Sequence, residues 1–185
     1  MNHEQLIKGC IKNNSRSQEE LYLLYKDTLF MLSLKYCRNE AEAEDNLHNA
    51  FIEIFTSIAK YKNSGSFEGW MKRITINKAI DSFKKTLQLV PVKDDDIRDD
   101  ATVTDDEMNL PADYILQLVQ QLPDQYRLVF SLYELDDYSH KEIAEMLQIS
   151  ESTSKSNLHR AKAILKEKIT NRHSYSNYSL SHGKQ

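Results

Sequence analysis

The stretch that decides the fold reads Ser139-His140-Lys141-Glu142-Ile143-Ala144-Glu145-Met146-Leu147-Gln148-Ile149-Ser150-Glu151-Ser152-Thr153-Ser154-Lys155-Ser156-Asn157-Leu158-His159-Arg160-Ala161. Its first four residues have the form S-x-x-E, in which the serine hydroxyl accepts from an early helical amide and the glutamate reaches back to the N–H of the cap. Ile143, Ala144 and Leu147 then line one helical face, and the chain turns at Gln148-Ile149. Ser150 supplies a second capping oxygen ahead of Glu151, so a new helix starts at once. That helix, extending to about Ile169, places Leu158, Ala161, Leu165 and Ile169 inward and Thr153, Lys155, Ser156, His159, Arg160 and Lys162 outward. Residues 155–168 hold five basic side chains against Glu167 alone.

Two short helices, a tight turn, a small Ala144 where the helices cross and a basic second helix describe a DNA-reading helix-turn-helix. Thr153, Lys155 and Ser156, near the start of the second helix, lie where base edges or adjacent phosphates come within reach. Arg160 and Lys162 lie further along, suited to phosphate contact or guanine readout. A solvated basic face on an ordinary bundle helix is the plainer alternative.

Upstream, Tyr114, Ile115, Leu118, Val119 and Leu122 predict a short amphipathic helix ending at Pro123, which can open the next helix at its first turn. Arg127, Leu128, Phe130 and Leu132 carry that next helix to about Leu135. Between Thr86 and Pro111 periodicity vanishes and Asp94-Asp95-Asp96, Asp99-Asp100 and Asp105-Asp106-Glu107 accumulate, the pattern of a flexible, self-repelling linker. A solvated acidic loop and a segment that mimics or repels DNA both fit these residues. The linker also dominates the net charge of −4, because residues 87–113 carry 2 basic and 9 acidic side chains whereas residues 1–86 carry 13 and 11. The remainder of the chain is therefore near neutral or basic where a polyanion would meet it.

In the first half, Leu21, Leu24, Tyr25, Thr28, Leu29, Leu32 and Tyr36 fall on one helical face. A second run from Glu40 sets Ala43, Leu47, Ala50, Phe51, Ile54, Phe55 and Ile58 on a stripe wide enough for a core and a partner. The polar, Gly-containing segment Lys62-Asn63-Ser64-Gly65-Ser66 reads as a loop, after which Phe67, Trp70, Met71, Ile74, Asn77, Ala79 and Ile80 predict a third helix to about Phe83. Basic residues Lys60, Lys62, Lys72, Arg73, Lys78, Lys84 and Lys85 outnumber Glu68 and Asp81 there, with Tyr61, Phe67, Trp70 and Phe83 interleaved. Cations that follow a phosphate backbone and aromatics or amides that hold unstacked bases suit one strand of an opened duplex. Phe67 and Trp70 serve equally as core residues, and Trp70 is read first as one. Asn77 offers a donor and an acceptor suited to a base edge.

Across 185 residues there are only 4 Gly and 3 Pro, a balance that favours helices. The expected fold is all-α, with two small helical domains joined by a flexible acidic linker and a helix-turn-helix at the C-terminal end. The domains are read as residues 1–86 and 112–170, with a linker at 87–111 and a disordered tail at 171–185. Cys10 and Cys37 form no C-x-x-C pattern, so neither a disulfide framework nor a zinc site is signalled and a reducing cytoplasm fits. No cleavable leader is recognisable at residues 1–12 and no membrane-spanning run of about 18 apolar residues exists. Gly-rich phosphate loops, H-E-x-x-H and nucleophile triads are missing, and Asp45 with His48 at i, i+3 is a weak metal pair, so the chain is read as no enzyme and as needing no cofactor.

Residues 138–161 resemble the fourth conserved region of RNA polymerase sigma factors of the small extracytoplasmic-function group, and Leu122-Pro123 with Tyr126-Arg127 resembles the element before it. That half alone also fits a helix-turn-helix regulator that never joins polymerase. The N-terminal half separates the two. Ala43-Glu44-Asp45, Leu47, Ala50, Phe51 and Ile54 resemble the family's polymerase-docking helix, and Phe67, Trp70, Ile74, Asn77, Ala79, Ile80 and Asp81 its minus-ten helix. The chain departs from the family pattern at His48, Gln148, Ser154 and Asn157, where Gln, Gly, Val and Arg are usual. The resemblance implies minus-thirty-five contacts by Thr153, Lys155, Ser156, His159, Arg160 and Lys162. It implies minus-ten contacts by Lys62, Asn63, Ser64, Phe67, Trp70, Arg73, Asn77 and Lys84, and polymerase contacts by Asp45, His48, Phe51 and Ile54. Implied partners are the clamp and flap of core RNA polymerase, promoter DNA and an anti-sigma factor, with no small-molecule substrate.

Overall fold

Asn14 and Asn39 each turn a side-chain oxygen onto an amide three residues ahead, Ser17 and Glu42, and so open the two long helices of the first half. The computed structural model describes residues 3–61, 65–89 and 111–182, with the backbone alone for 86–89 and 171–182. Among these residues there are helices and no strand, and the chain divides into two units between Pro91 and Val92. The expected loop residues Lys62, Asn63 and Ser64, nearly all of the acidic linker and the last three residues lie outside the described ones.

The first unit contains α1 (His3–Ile11), α2 (Ser15–Tyr36), α3 (Glu40–Ser57), a 3-10 turn (Ile58–Lys60) and α4 (Phe67–Leu89). Helices α2, α3 and α4 pack on one another, and α1 lies on α2. Gly9 is required there, because a Cβ on it would stand 2.2 Å from the Ser17 hydroxyl. Leu21, Leu29, Ile54, Ile58 and Met71 are the large, fully buried side chains at the centre. Burying such a side chain contributes about 1.5–3 kcal/mol. A polar knot sits among them, in which the Asn46 amide donates to Ser33 Oγ at 3.0 Å and to the Thr75 carbonyl at 3.2 Å. Ser33 and Thr75 in turn donate to carbonyls one turn back, at Leu29 and Met71, so the buried hydroxyls are satisfied.

Two sequence readings change here. Helix α1 was not expected, although Leu6 and Cys10, four residues apart, are its two buried anchors. On α2 the buried face passes through Leu21, Leu29, Leu32 and Ser33, leaving Leu24 57% exposed and Thr28 exposed, because α3 and α4 cover a narrower arc than the leucine spacing suggests.

The second unit contains α5 (Ala112–Gln120), α6 (Asp124–Phe130), a single π-helical turn (Ser131–Leu135), α7 (His140–Leu147) and α8 (Glu151–His182). Leu118, Val119 and Leu122 pack against Ala161 and Leu165, with Tyr114, Tyr126 and Phe130 around them. Arg127 is buried here. It pairs with Asp124 and donates to the Leu122 carbonyl at 2.9 Å, tying the α5–α6 corner to α6 itself. Helix α8 continues past the expected end near Ile169, and its backbone is helical into the span read from sequence as a disordered tail. No Gly or Pro interrupts residues 170–182, so nothing in that span stops a helix already formed.

Candidate nucleic-acid interface

The helix-turn-helix is set by local chemistry. Ser139 and Glu142 form the reciprocal box, with Ser139 N–H donating to the Glu142 carboxylate at 2.9 Å and Glu142 N–H to Ser139 Oγ at 3.3 Å. Helix α7 ends at Gln148, which takes the left-handed conformation (φ 59°, ψ 44°), and the Gln148 and Ile149 amides both close onto the Ala144 carbonyl. Ser150 then caps α8 by accepting from Thr153 N–H at 3.0 Å. A glycine is the usual residue for such a turn, and Gln148 carries its strain.

Along the first turns of α8 the outward set is Lys155, Ser156, His159 and Lys162, all exposed, with Thr153 and Arg160 half-buried. Arg160 reaches the Tyr126 hydroxyl at 3.4 Å, and Lys162 is paired with Glu134 at 2.7 Å. Ser154 and Asn157 face inward instead. Ser154 is fully buried and meets His140 Nδ1 at 2.9 Å, while the His140 ring stacks on Tyr133 with centroids 4.4 Å apart. Burial and the nearby Lys155 charge hold the His140 imidazole below its ordinary pKa, against a smaller opposing effect of Glu151. The Asn157 side-chain NH₂ is buried and finds no hydrogen-bond partner among the described residues.

In the first unit, Ser66 caps α4 by accepting from Gly69 N–H at 2.9 Å, and Gly65 takes φ 95°, a conformation open to glycine at no steric cost. The Tyr61 hydroxyl donates to the Gly65 carbonyl at 2.8 Å and so holds the end of the loop. On α4 the spacing brings Trp70, Arg73, Asn77 and Lys84 onto one side, with Arg73 and Asn77 exposed and Trp70 and Lys84 half-buried. Phe67 is a correction to the strand-contact reading, since it is buried. Its ring stacks on Trp70 at 5.5 Å and meets Tyr61 at 5.1 Å, and His3 of α1 closes the cluster at 5.5 Å. Two cations of the basic run are already engaged, Lys72 with Glu68 at 2.7 Å and Lys78 with Glu53 at 2.9 Å. The Ser57 hydroxyl and then Lys78 hold the Glu53 carboxyl below its ordinary pKa.

On α3, Asp45 and His48 are exposed and line an open groove of about 460 Å³ with Tyr22, Lys26, Phe30 and Glu44. Phe51 and Ile54 correct the polymerase-contact reading. At 3% and 0% exposure they are consumed by packing inside the first unit, and the exposed large apolar residue on this helix is Ile52. The sequence reading gave no site role to His3, Glu53, Tyr126 or Glu134, each of which acts across helices on a residue it did single out. Among the described residues no group of three or more His, Cys, Asp or Glu side chains is arranged to hold a metal ion, and no helix is long and apolar enough to cross a membrane.

The family model for Sigma-70 region 2 matches residues 21–87 and that for Sigma-70 region 4 matches residues 112–165. The ECF RNA polymerase sigma factor SigW of Bacillus subtilis is 29% identical, over 90% of this chain and 98% of that protein. SigM of the same organism, also an ECF RNA polymerase sigma factor, is 28% identical over 80% and 92%. In fold, the chain is similar to the sigma factor RpoE from Bartonella quintana, solved in complex with the anti-sigma factor NepR, with TM-score 0.53 at 18% identity over 82% of this chain and 96% of that one. The two matched regions together span more than half of the chain, which belongs to the sigma-70 family of RNA polymerase sigma factors, in the extracytoplasmic-function group. Its function is that of a sigma factor.

Proposed function

We propose that the two units divide promoter recognition between them. The second unit meets the minus-thirty-five element with Thr153, Lys155, Ser156, His159, Arg160 and Lys162. The first holds the opened minus-ten strand with Trp70, Arg73, Asn77, Lys84 and the loop residues Lys62, Asn63 and Ser64. The observation that carries this reading is the sidedness of α8. Lys155, Ser156 and His159 project to solvent from the first turns beyond a doubly capped corner, while Ser154, Leu158 and Ala161 fix the helix from behind. Such an end-on basic face suits entry into a major groove. On α4, Arg73 and Asn77 stand one turn apart beside a half-exposed indole, which suits a phosphate, a base edge and a base face in that order.

Core polymerase is the proposed partner of the α3 face that carries Asp45 and His48, and an anti-sigma protein is proposed to compete for the chain. The polymerase supplies the chemistry of RNA synthesis, so the chain itself has no catalytic role, and it acts in the cytoplasm where core polymerase and DNA are found. The test is run-off transcription with purified core polymerase on a promoter selected by the wild-type holoenzyme. Transcription is expected to depend on this chain. Lys155→Ala should weaken it at the intact minus-thirty-five element and not at a scrambled one. Asn77→Ala should blunt discrimination at one minus-ten base, and Asp45→Lys should lower core affinity. A chain that binds DNA without core-dependent initiation overturns the reading in favour of a free-standing regulator.

A further inference from the structure

Resting on the reading of α8 as the minus-thirty-five helix, we infer that Glu134 sets how much sequence-independent DNA affinity this unit has, by neutralising Lys162. Glu134 lies on the π-helical turn just before the helix-turn-helix, and its carboxylate meets Lys162 Nζ at 2.7 Å. Lys155, His159 and Lys162 recur at i, i+4 and i+7, so they share one face of α8. The rise of the helix puts Lys162 about 10 Å beyond Lys155, past the turns that enter a groove and alongside the backbone. A phosphate contact at that position adds affinity and carries no sequence information.

With Glu134 beside it, Lys162 meets a phosphate only after giving up an existing carboxylate partner, and that carboxylate then repels the incoming anion. Of the groups near base edges, Lys155 has Glu151 one turn back on α8 but closes no ion pair with it, so among the described residues Lys162 is the cation on this face held directly by a carboxylate. The pair therefore subtracts from the term common to all DNA and spares the term that distinguishes one site from another. Both partners are partly solvated, with side-chain exposures of 48% for Lys162 and 31% for Glu134, so the pair is one that DNA can open.

The full-length chain is titrated against a random-sequence fluorescent duplex over a range of KCl concentrations, as wild type, Glu134→Gln, Lys162→Ala and the double variant. Glu134→Gln is expected to tighten binding about three- to tenfold at low salt and to steepen the salt slope by about one ion. In the Lys162→Ala background the same change should give less than about a twofold gain, since the cation it liberates is gone. On a promoter duplex with core polymerase, Glu134→Gln should lower the ratio of intact to scrambled minus-thirty-five binding. Equal gains with and without Lys162, or unchanged affinity including no measurable binding by either protein, overturn the inference. Loss of core-dependent initiation by the wild-type chain is a separate result that removes the underlying reading.

Discussion

Gln148→Gly should stabilise the second unit. Gln148 sits at φ 59°, ψ 44° as the C-cap of α7 and its side chain is exposed, so its removal deletes no packing. An L-residue in this region costs about 1–2 kcal/mol through the clash of Cβ with the carbonyl, a penalty glycine lacks. Against that, glycine gains conformational freedom in the unfolded chain worth about 0.4–1 kcal/mol. The difference leaves a net gain of about 0.5–1 kcal/mol. For a unit of this size that raises the melting midpoint by about 2–8 °C. Hydrogen exchange at the amides of α7 and α8 reads the change locally. The single tryptophan, Trp70, lies in the first unit, so its urea-unfolding signal should not move and serves as an internal control. Gln148→Ala isolates the backbone cause, since alanine keeps the Cβ and should stay within about 0.5 kcal/mol of wild type. An equal gain from Ala and Gly, or a loss from Gly, refutes the reasoning.

In the first unit, Asn46→Ala removes two buried donors from Ser33 and Thr75 and should cost about 1–3 kcal/mol by Trp70 fluorescence in urea. Less than about 0.5 kcal/mol would show the knot to be dispensable. Arg127→Met strands the Asp124 carboxylate and the Leu122 carbonyl and should cost about 3 kcal/mol or more by exchange at α6, whereas a neutral result would mean the corner repacks. Asn157→Leu replaces a buried, unpartnered NH₂ by an apolar group of similar size and should leave α8 at least as stable, by about 0–2 kcal/mol, so a clear loss in exchange protection would reveal a hidden partner. His140 titrates in the folded state below its ordinary value of 6.5, so the unfolded chain takes up the proton first as pH falls. Its contribution to stability is therefore full above about pH 6.5 and is lost as pH drops through that value toward the folded-state pKa. The acid limb of the second unit's stability curve should flatten in His140→Gln, and an unchanged limb would exclude His140 as its source.

The elements with strong local signals were legible in the sequence, and those with tertiary causes were not. The box Ser139–Glu142, the apolar stripe of α5 and its corner through Leu118, Val119 and Leu122, and the inward Leu158, Ala161 and Leu165 all follow from spacing that a chain specifies by itself. Helix α1 escaped because two anchors over nine residues do not make a stripe. On α2, exposed neighbours Leu23 and Leu24 blur the phase of the buried arc. The α3 stripe was read as wide enough for core and partner, yet the domain is so small that packing takes Phe51 and Ile54, and the face left over is Asp45, His48 and Ile52. The outward residues of α8 were legible as residues and not as partners. Nothing near Lys162 or Lys78 in the chain announces Glu134 or Glu53, because those pairs exist only once helices cross.

The departures from the family pattern are related to one another. Ser154 and Asn157 lie one turn apart on the buried side of α8, so two polar groups face the packed side of the recognition helix where the family pattern has Val and Arg. Ser154 is matched by His140, which also stacks on Tyr133, so one imidazole joins the π-helical turn, the start of α7 and α8. Asn157 has no such match, Gln148 is strained, and Asp137 between the π-helical turn and α7 also takes a positive φ of 57°. Each of these costs stability of order 1–3 kcal/mol, and all of them fall in or beside the helix-turn-helix. The apolar seam of α5 and α8 through Leu118, Val119 and Leu165 contains no such polar or strained residue, and Ile143 and Leu132 on the helix-turn-helix side are fully buried, so the unmatched and strained groups sit within an otherwise packed corner.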